Sequence, residues 1–278
     1  MKKVCPWLFL AITFAISWAC WIPLALAGVD SASSPWLAVR ILGGLGPFLA
    51  ALIMLVRSDR ESRADFVRRA TRFSWRRAGW YVAALLLFPA MNAVATLIGG
   101  ALGGEPASFE QAMQLWANPL SIPGYLLFAL LFGPIPEELG WRGYSLDGFV
   151  ERYGAMGASA ILGLAHALWH LPLFYIPGAW QYEVVGSASP GIWWYMVPTA
   201  AVGLLYTWVY RGTNRSTLSA ILLHFSINLS GELFGLTQYG RLMQTIVVVV
   251  IVYGYVVVMG PEGMGRDETA DEAQSTAP

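Results

Sequence analysis

Glu137, Glu138 and Arg142 stand in the run GPIPEELGWRG, residues 133–143, directly behind the apolar FALLF. An ionisable side chain near the middle of a bilayer costs roughly 2.5–3.5 kcal/mol on insertion scales, so such groups are paired or functional. The chain collects several more in apolar surroundings. His166 and His170 lie in LAHALWHLPLF, and His224 and Asn228 in LLHFSINL, which accounts for all 3 histidines of the protein. Each histidine alone reads most simply as a hydrogen-bonded core residue, but three in apolar spans point to chemistry.

The spacings say which chemistry. Glu138 and Arg142 are four apart, so on a helix they stack on one face in the favourable acid-before-base order. Glu137 is then left without a partner from its own helix, a candidate general base, although both glutamates could instead belong to one structural ion-pair cluster. His224 and Asn228 also stand one helical turn apart and can donate toward a single point, as an oxyanion requires; polar glue between helices is an equal reading. His166 and His170 repeat the same spacing, which suits a divalent ion such as zinc. No HExxH occurs, and Glu137 would have to come from another helix.

Elements able to position these groups must be membrane helices. The 278 residues are 56% hydrophobic and 12% charged, with a mean hydropathy of +0.55, a composition that excludes an ordinary soluble domain. Apolar stretches near residues 6–28, 36–56, 79–102, 121–148, 154–176, 192–210, 215–234 and 240–259 predict an all-α polytopic integral membrane bundle of about eight transmembrane helices. Residues 1–260 read as a single membrane domain and 261–278 as a polar, disordered cytoplasmic tail. The first stretch reads as an uncleaved helix, because its apolar run is too long for a signal peptide. Pro134 and Pro136 should interrupt the fourth stretch, and Pro172 should kink the fifth near His170. Ending the fourth stretch near Arg142 would leave Glu137 and His170 at different depths; continuing it to about Phe149 brings the glutamate nearer the middle.

The loop RSDRESRADFVRRATRFSWRR carries eight arginines against three acids, and Lys2 and Lys3 fall on its side of an alternating bundle. Positive-inside then predicts a cell-membrane protein with both termini cytoplasmic. The opposite loops hold no lysine or arginine, Arg241 being the exception. Trp7, Trp75, Trp80, Trp180, Trp193 and Trp194 fall near stretch ends, as interfacial anchors do. The two cysteines, Cys5 and Cys20, share the first stretch and support neither a disulfide framework nor a thiolate metal site. Nothing in the charge pattern suggests nucleic acid; the partners expected are the bilayer and a membrane-associated substrate.

EELGWRG fits an EExxxR pattern, HALWH an FxxxH pattern with His166 in the place usually held by phenylalanine, and HFSIN an HxxxN pattern. In that order these motifs resemble the CAAX protease and bacteriocin-processing (CPBP, or Abi) intramembrane endopeptidases, type II CAAX prenyl endopeptidases among them, over about residues 121–232. The resemblance implies an eight-helix fold and hydrolysis of a peptide bond in a membrane-associated peptide or protein, prenylated for some members. It implies that Glu137 and His170 activate a water molecule, that His224 and Asn228 steady the oxyanion, and that Glu138 and Arg142 support them. Metalloprotease-like and metal-free glutamate-dependent chemistry both stay open. The rival classes are a proton-coupled transporter, which buried Glu and His would also suit, and a non-catalytic membrane scaffold.

Overall fold

The computed structural model describes residues 5–187 and 190–263, so Lys2, Lys3 and most of the expected tail lie outside the described residues. Among those described there is no strand. The helices are, in order, α1 (Pro6–Ala27), α2 (Trp36–Gly44), α3 (Gly46–Val56), α4 (Arg60–Thr71), α5 (Ala78–Ala101), α6 (Glu110–Ala117), α7 (Ile122–Leu131), α8 (Pro134–Gly140), α9 (Leu146–Trp169), α10 (Gly191–Gly212), α11 (Thr217–Phe234) and α12 (Gln238–Gly263). The last runs to Gly263, so the first three residues of the expected tail continue a helix.

Five stretches are long and apolar enough to cross a membrane: Pro6–Ala27, Trp75–Ala101, Pro119–Tyr175, Thr217–Phe234 and Gln238–Val258. The pair α2 and α3, bent by 54°, makes a sixth. By this measure the expected eight is not reached, because the fourth and fifth expected spans merge into one broken stretch and α10 falls short in hydropathy. The protein is nonetheless an all-α, multi-pass membrane bundle.

The breaks in that stretch position the motifs. Its first break falls at Phe132 and Gly133, and Pro134 opens α8 as its first residue instead of interrupting a helix; a proline there has no intrahelical hydrogen bond to lose. The chain then runs from α8 through a π-helical turn, Trp141–Ser145, into α9 without leaving the helix, and all five residues of the turn are buried. Single π turns of this kind recur at functional sites. Gly154 breaks α9 in two, with φ 68° and ψ 171°, a backbone region essentially closed to residues with a Cβ. Residues 155–169 thereby return as a second helix beside the first. That helix ends at Trp169, with His170 as its cap and Leu171–Tyr175 as a 3₁₀ turn. Pro172 therefore terminates the helix rather than kinking it.

Two apolar clusters flank these segments. One joins α1 and α3 to the π turn and α9 through Phe9, Trp21, Trp141, Phe149 and Trp169; the other joins α5, α10, α11 and α12 through Phe88, Met91, Leu205, Leu223 and Val248. In lipid, where apolar burial drives association weakly, close backbone approach matters more. A Cβ on Gly163 would sit 2.1 Å from the Ala200 carbonyl oxygen, and one on Gly203 would sit 2.5 Å from that of Ser159. Ser159 Oγ donates to Thr207 Oγ1 at 2.7 Å across the same seam. Gly163→Val is expected to lower stability by about 2 kcal/mol or more, read as a fall in melting temperature in micelles. Gly100→Ala, where a Cβ would meet nothing within 4 Å, should stay within about 1 kcal/mol of wild type; equal melting of both variants with wild type would refute the seam.

Beneath the π turn lies the arginine-rich α4. Arg69 Nη1 donates to the Gly143 carbonyl at 2.7 Å and to Tyr210 OH at 2.8 Å, and lies 3.0 Å from Asp147. Arg215 joins Asp147 and Asp65 at 2.6 and 3.0 Å. Burial pushes the Asp65 carboxyl up, but Arg69 and Arg215 outweigh it and hold it below its usual range. The clamp is thus ionised at neutral pH, and it fixes the end of the motif helix to α4 and the α10–α11 turn.

Candidate active site

Proline opens α8 with Glu137 one turn in, where the exposed N–H groups of a helix start favour a carboxylate. Gly140 lets α8 press on α3, since a Cβ there would stand 2.5 Å from the Pro47 carbonyl. Glu138 turns the other way and is fully buried. Arg142 Nη1 donates to both Glu138 oxygens at 2.9 Å, the pairing expected from their spacing, and its guanidinium lies 3.5 Å over the Tyr206 ring.

His224 comes from α11 to complete this cluster. Its Nδ1 lies 2.8 Å from Glu138 Oε1, and since an ionised carboxylate only accepts, that nitrogen carries the proton. His224 and Asn228 were expected to donate toward a single point. His224 commits one nitrogen to Glu138, while the Asn228 side chain has no hydrogen-bond partner among the described residues and lines the cavity.

Glu137 finds its partner across helices. His166 Nε2 lies 2.9 Å from Glu137 Oε2, so the histidine in the unusual motif position makes the direct contact. His170 Nδ1 donates to the His166 carbonyl oxygen at 2.9 Å, which leaves its Nε2 unprotonated in the neutral ring and available to the cavity. One ligand atom each from Glu137, His166 and His170 lies within 4.8 Å of the others. The depth difficulty disappears, because the motif helix continues past Phe149 to residue 153. The donor set, one carboxylate and two imidazoles with one imidazole fixed by a backbone carbonyl, has the chemistry of a catalytic divalent-metal centre with a position left for water.

These groups line a cavity of about 360 Å³ between α8, α9, α10 and α11, with His224 and Asn228 on its wall. At the break before α8, a Cβ on Gly133 would project to 3.4 Å from Asn228 Nδ2 and 3.9 Å from Glu137 Oε1. The glycine keeps open the space between the carboxylate and the amide. Phe128 and Phe132 also line the cavity, and both are more than half exposed on the bundle surface, so their rings, 4.7 Å apart, form an apolar rim where the cavity meets the outside of the bundle.

The far wall was not foreseen. Trp180, Tyr195, Arg241 and Gln244 line it, and Trp194 lines the cavity as well. No motif marks these residues; the one signal was Arg241, the single basic residue on a side otherwise without any.

Residues 119–230 match the family model described as type II CAAX prenyl endopeptidase Rce1-like. The chain is also 29% identical over 248 residues to CAAX prenyl protease 2 of Methanococcus maripaludis, an alignment spanning 87% of this chain and 90% of that protein. The matched region runs from the start of the α7 segment to near the end of α11, and so contains every motif residue of the cavity.

Proposed function

We propose that the chain, which resembles the Rce1-like type II CAAX prenyl endopeptidases through residues 119–230, hydrolyses a peptide bond of a prenylated, membrane-associated substrate with a water activated by Glu137. The observation that carries this reading is the carboxylate of Glu137 beside two imidazoles, in a cavity also lined by the Asn228 amide and a third imidazole.

The residues divide the work by chemistry. The substrate carbonyl enters beside Gly133, in the space between Asn228 and Glu137. Glu137 takes a proton as the water oxygen attacks the carbonyl carbon, with His166 holding the carboxylate in place and His170 Nε2 accepting the water's second hydrogen bond. Negative charge then collects on the carbonyl oxygen, where Asn228 Nδ2 donates to it. His224, anchored by Glu138, donates there from Nε2 when its ring is an imidazolium. The C–N bond breaks as Glu137 returns its proton to the leaving nitrogen. Arg142 and Glu138 keep this side of the cavity rigid. A divalent ion such as zinc would be held by Glu137, His166 and His170, and when bound would supply Lewis acidity. The exposed apolar rim at Phe128 and Phe132 suits contact with an isoprenyl chain.

Quenched fluorescent peptides with and without an isoprenyl group test this reading on detergent-purified protein, with and without a chelator. Cleavage of the prenylated peptide at least about tenfold faster is expected. Absence of cleavage for every peptide would refute the peptidase reading; inhibition by chelator would assign the metal.

A further inference from the structure

Arg241 is an anomaly the catalytic reading does not use. It stands in the first turn of α12 with only 6% of its surface exposed, and its Nε and Nη2 have no acceptor. A buried, unpaired guanidinium costs several kcal/mol unless something compensates it. Among the described residues no carboxylate lies in ion-pair reach, and its one partner is the Trp180 ring, 5.0 Å away. The cavity's own acids are engaged elsewhere, Glu137 by His166 and Glu232 by the Tyr125 hydroxyl at 2.5 Å. Yet Arg241 lines the same cavity as Glu137.

We propose that Arg241 binds the free C-terminal carboxylate of the peptide that this cavity cleaves. The proposal rests on the peptidase reading. A guanidinium without a counter-ion among the described residues, lining a cavity read as accommodating a peptide, is a site for an anion, and the anion that every linear peptide carries is its α-carboxylate.

The distance agrees. Ring steps of 5.5 Å from His170 to Tyr195, 6.3 Å from Tyr195 to Trp180 and 5.0 Å from Trp180 to the guanidinium connect the water-activating group to Arg241. An extended chain advances about 3.3–3.6 Å per residue, so up to about five residues bridge that path. Trp180 and Tyr195 form the wall along which the released segment would lie, and Gln181, 3.5 Å from the Tyr195 hydroxyl, supplies polar contacts to its backbone.

The test uses pairs of quenched peptides identical but for a free carboxylate or a carboxamide at the C-terminus, cleaved by the full-length protein and by Arg241→Gln. A charge-assisted hydrogen bond to a desolvated carboxylate is worth about ten- to hundredfold. Wild type is expected to prefer the acid by that factor in kcat/KM, Arg241→Gln to reduce the acid-to-amide ratio to near one, and Arg241→Lys to fall between. The preference should vanish when the scissile bond lies more than about five residues from the end. Binding of the same peptides to Glu137→Gln protein, followed by fluorescence anisotropy, reads the carboxylate preference without turnover. Selective binding without cleavage by wild type would sink the peptidase reading and leave the Arg241 site standing. Cleavage with equal ratios for wild type and Arg241→Gln would overturn the proposal. So would an acid preference that persists when Arg241 is replaced, or an Arg241-dependent phospholipid that copurifies and blocks neither peptide.

Discussion

Glu137→Gln is expected to lower kcat for peptide hydrolysis by about 10²- to 10⁴-fold, the range for loss of a positioned general base, while the protein still folds. Glutamine keeps the shape of the side chain and a carbonyl oxygen for His166 Nε2, which lies 2.9 Å from the carboxylate. What it loses is the ability to take a proton. Because Glu137 engages no cation in its own helix, neutralising it strands no buried charge, and the melting temperature should move by no more than a few degrees. The check is kcat with a quenched peptide together with thermal unfolding of the same preparation. A variant that cuts as fast as wild type would remove Glu137 from the chemistry; one that fails only because it is unfolded would make it structural.

The opposite pattern is expected for Arg142→Met. Arg142 is 1% exposed and Glu138 fully buried, and a single guanidinium nitrogen serves both oxygens of that carboxylate. Removing one member of such a pair leaves an uncompensated charge and costs about 3–5 kcal/mol. Pairing Arg142→Met with Glu138→Gln should recover a large part of that loss, because the orphaned charge goes with it. Activity should stay low in the double variant, since His224 has lost its carboxylate acceptor. Denaturation in micelles measures the first effect and kcat the second. Additive losses of stability in the double variant would contradict the pairing argument.

The contrast between these two neighbouring glutamates was legible in the sequence as far as local geometry reaches. Four-residue spacing fixes which side chains share a helix face, and Glu138 with Arg142 follows that rule even though a π turn begins at Trp141. Helix positions were legible for a similar reason, since lipid admits only apolar runs with internally bonded backbone. Contacts across helices were not. His166 faces Glu137 only because Gly154 turns the chain back, and a glycine in VERYGAMG carries no mark of its φ. Pro134 and Pro136 announced a break, but a proline serves a helix start as well as an interruption, and the structure has it opening α8. Tryptophans at stretch ends suggested interfaces, and nothing in that pattern marked Trp180 and Trp194 as residues that also line the cavity. Arg241 broke the charge asymmetry of the loops, and its burial against Trp180 gives a physical reason for the exception.

In the proposed mechanism water is the nucleophile and Glu137 its base. Single-turnover cleavage of a prenylated peptide in ¹⁸O-labelled water, followed by mass spectrometry of the newly formed carboxylate, tests this most directly. One ¹⁸O in the first-turnover product of wild type, and no product from Glu137→Gln on the same timescale, is the predicted result. An unlabelled first-turnover product, its oxygen taken from a protein carboxylate, or undiminished labelled product from Glu137→Gln would contradict it.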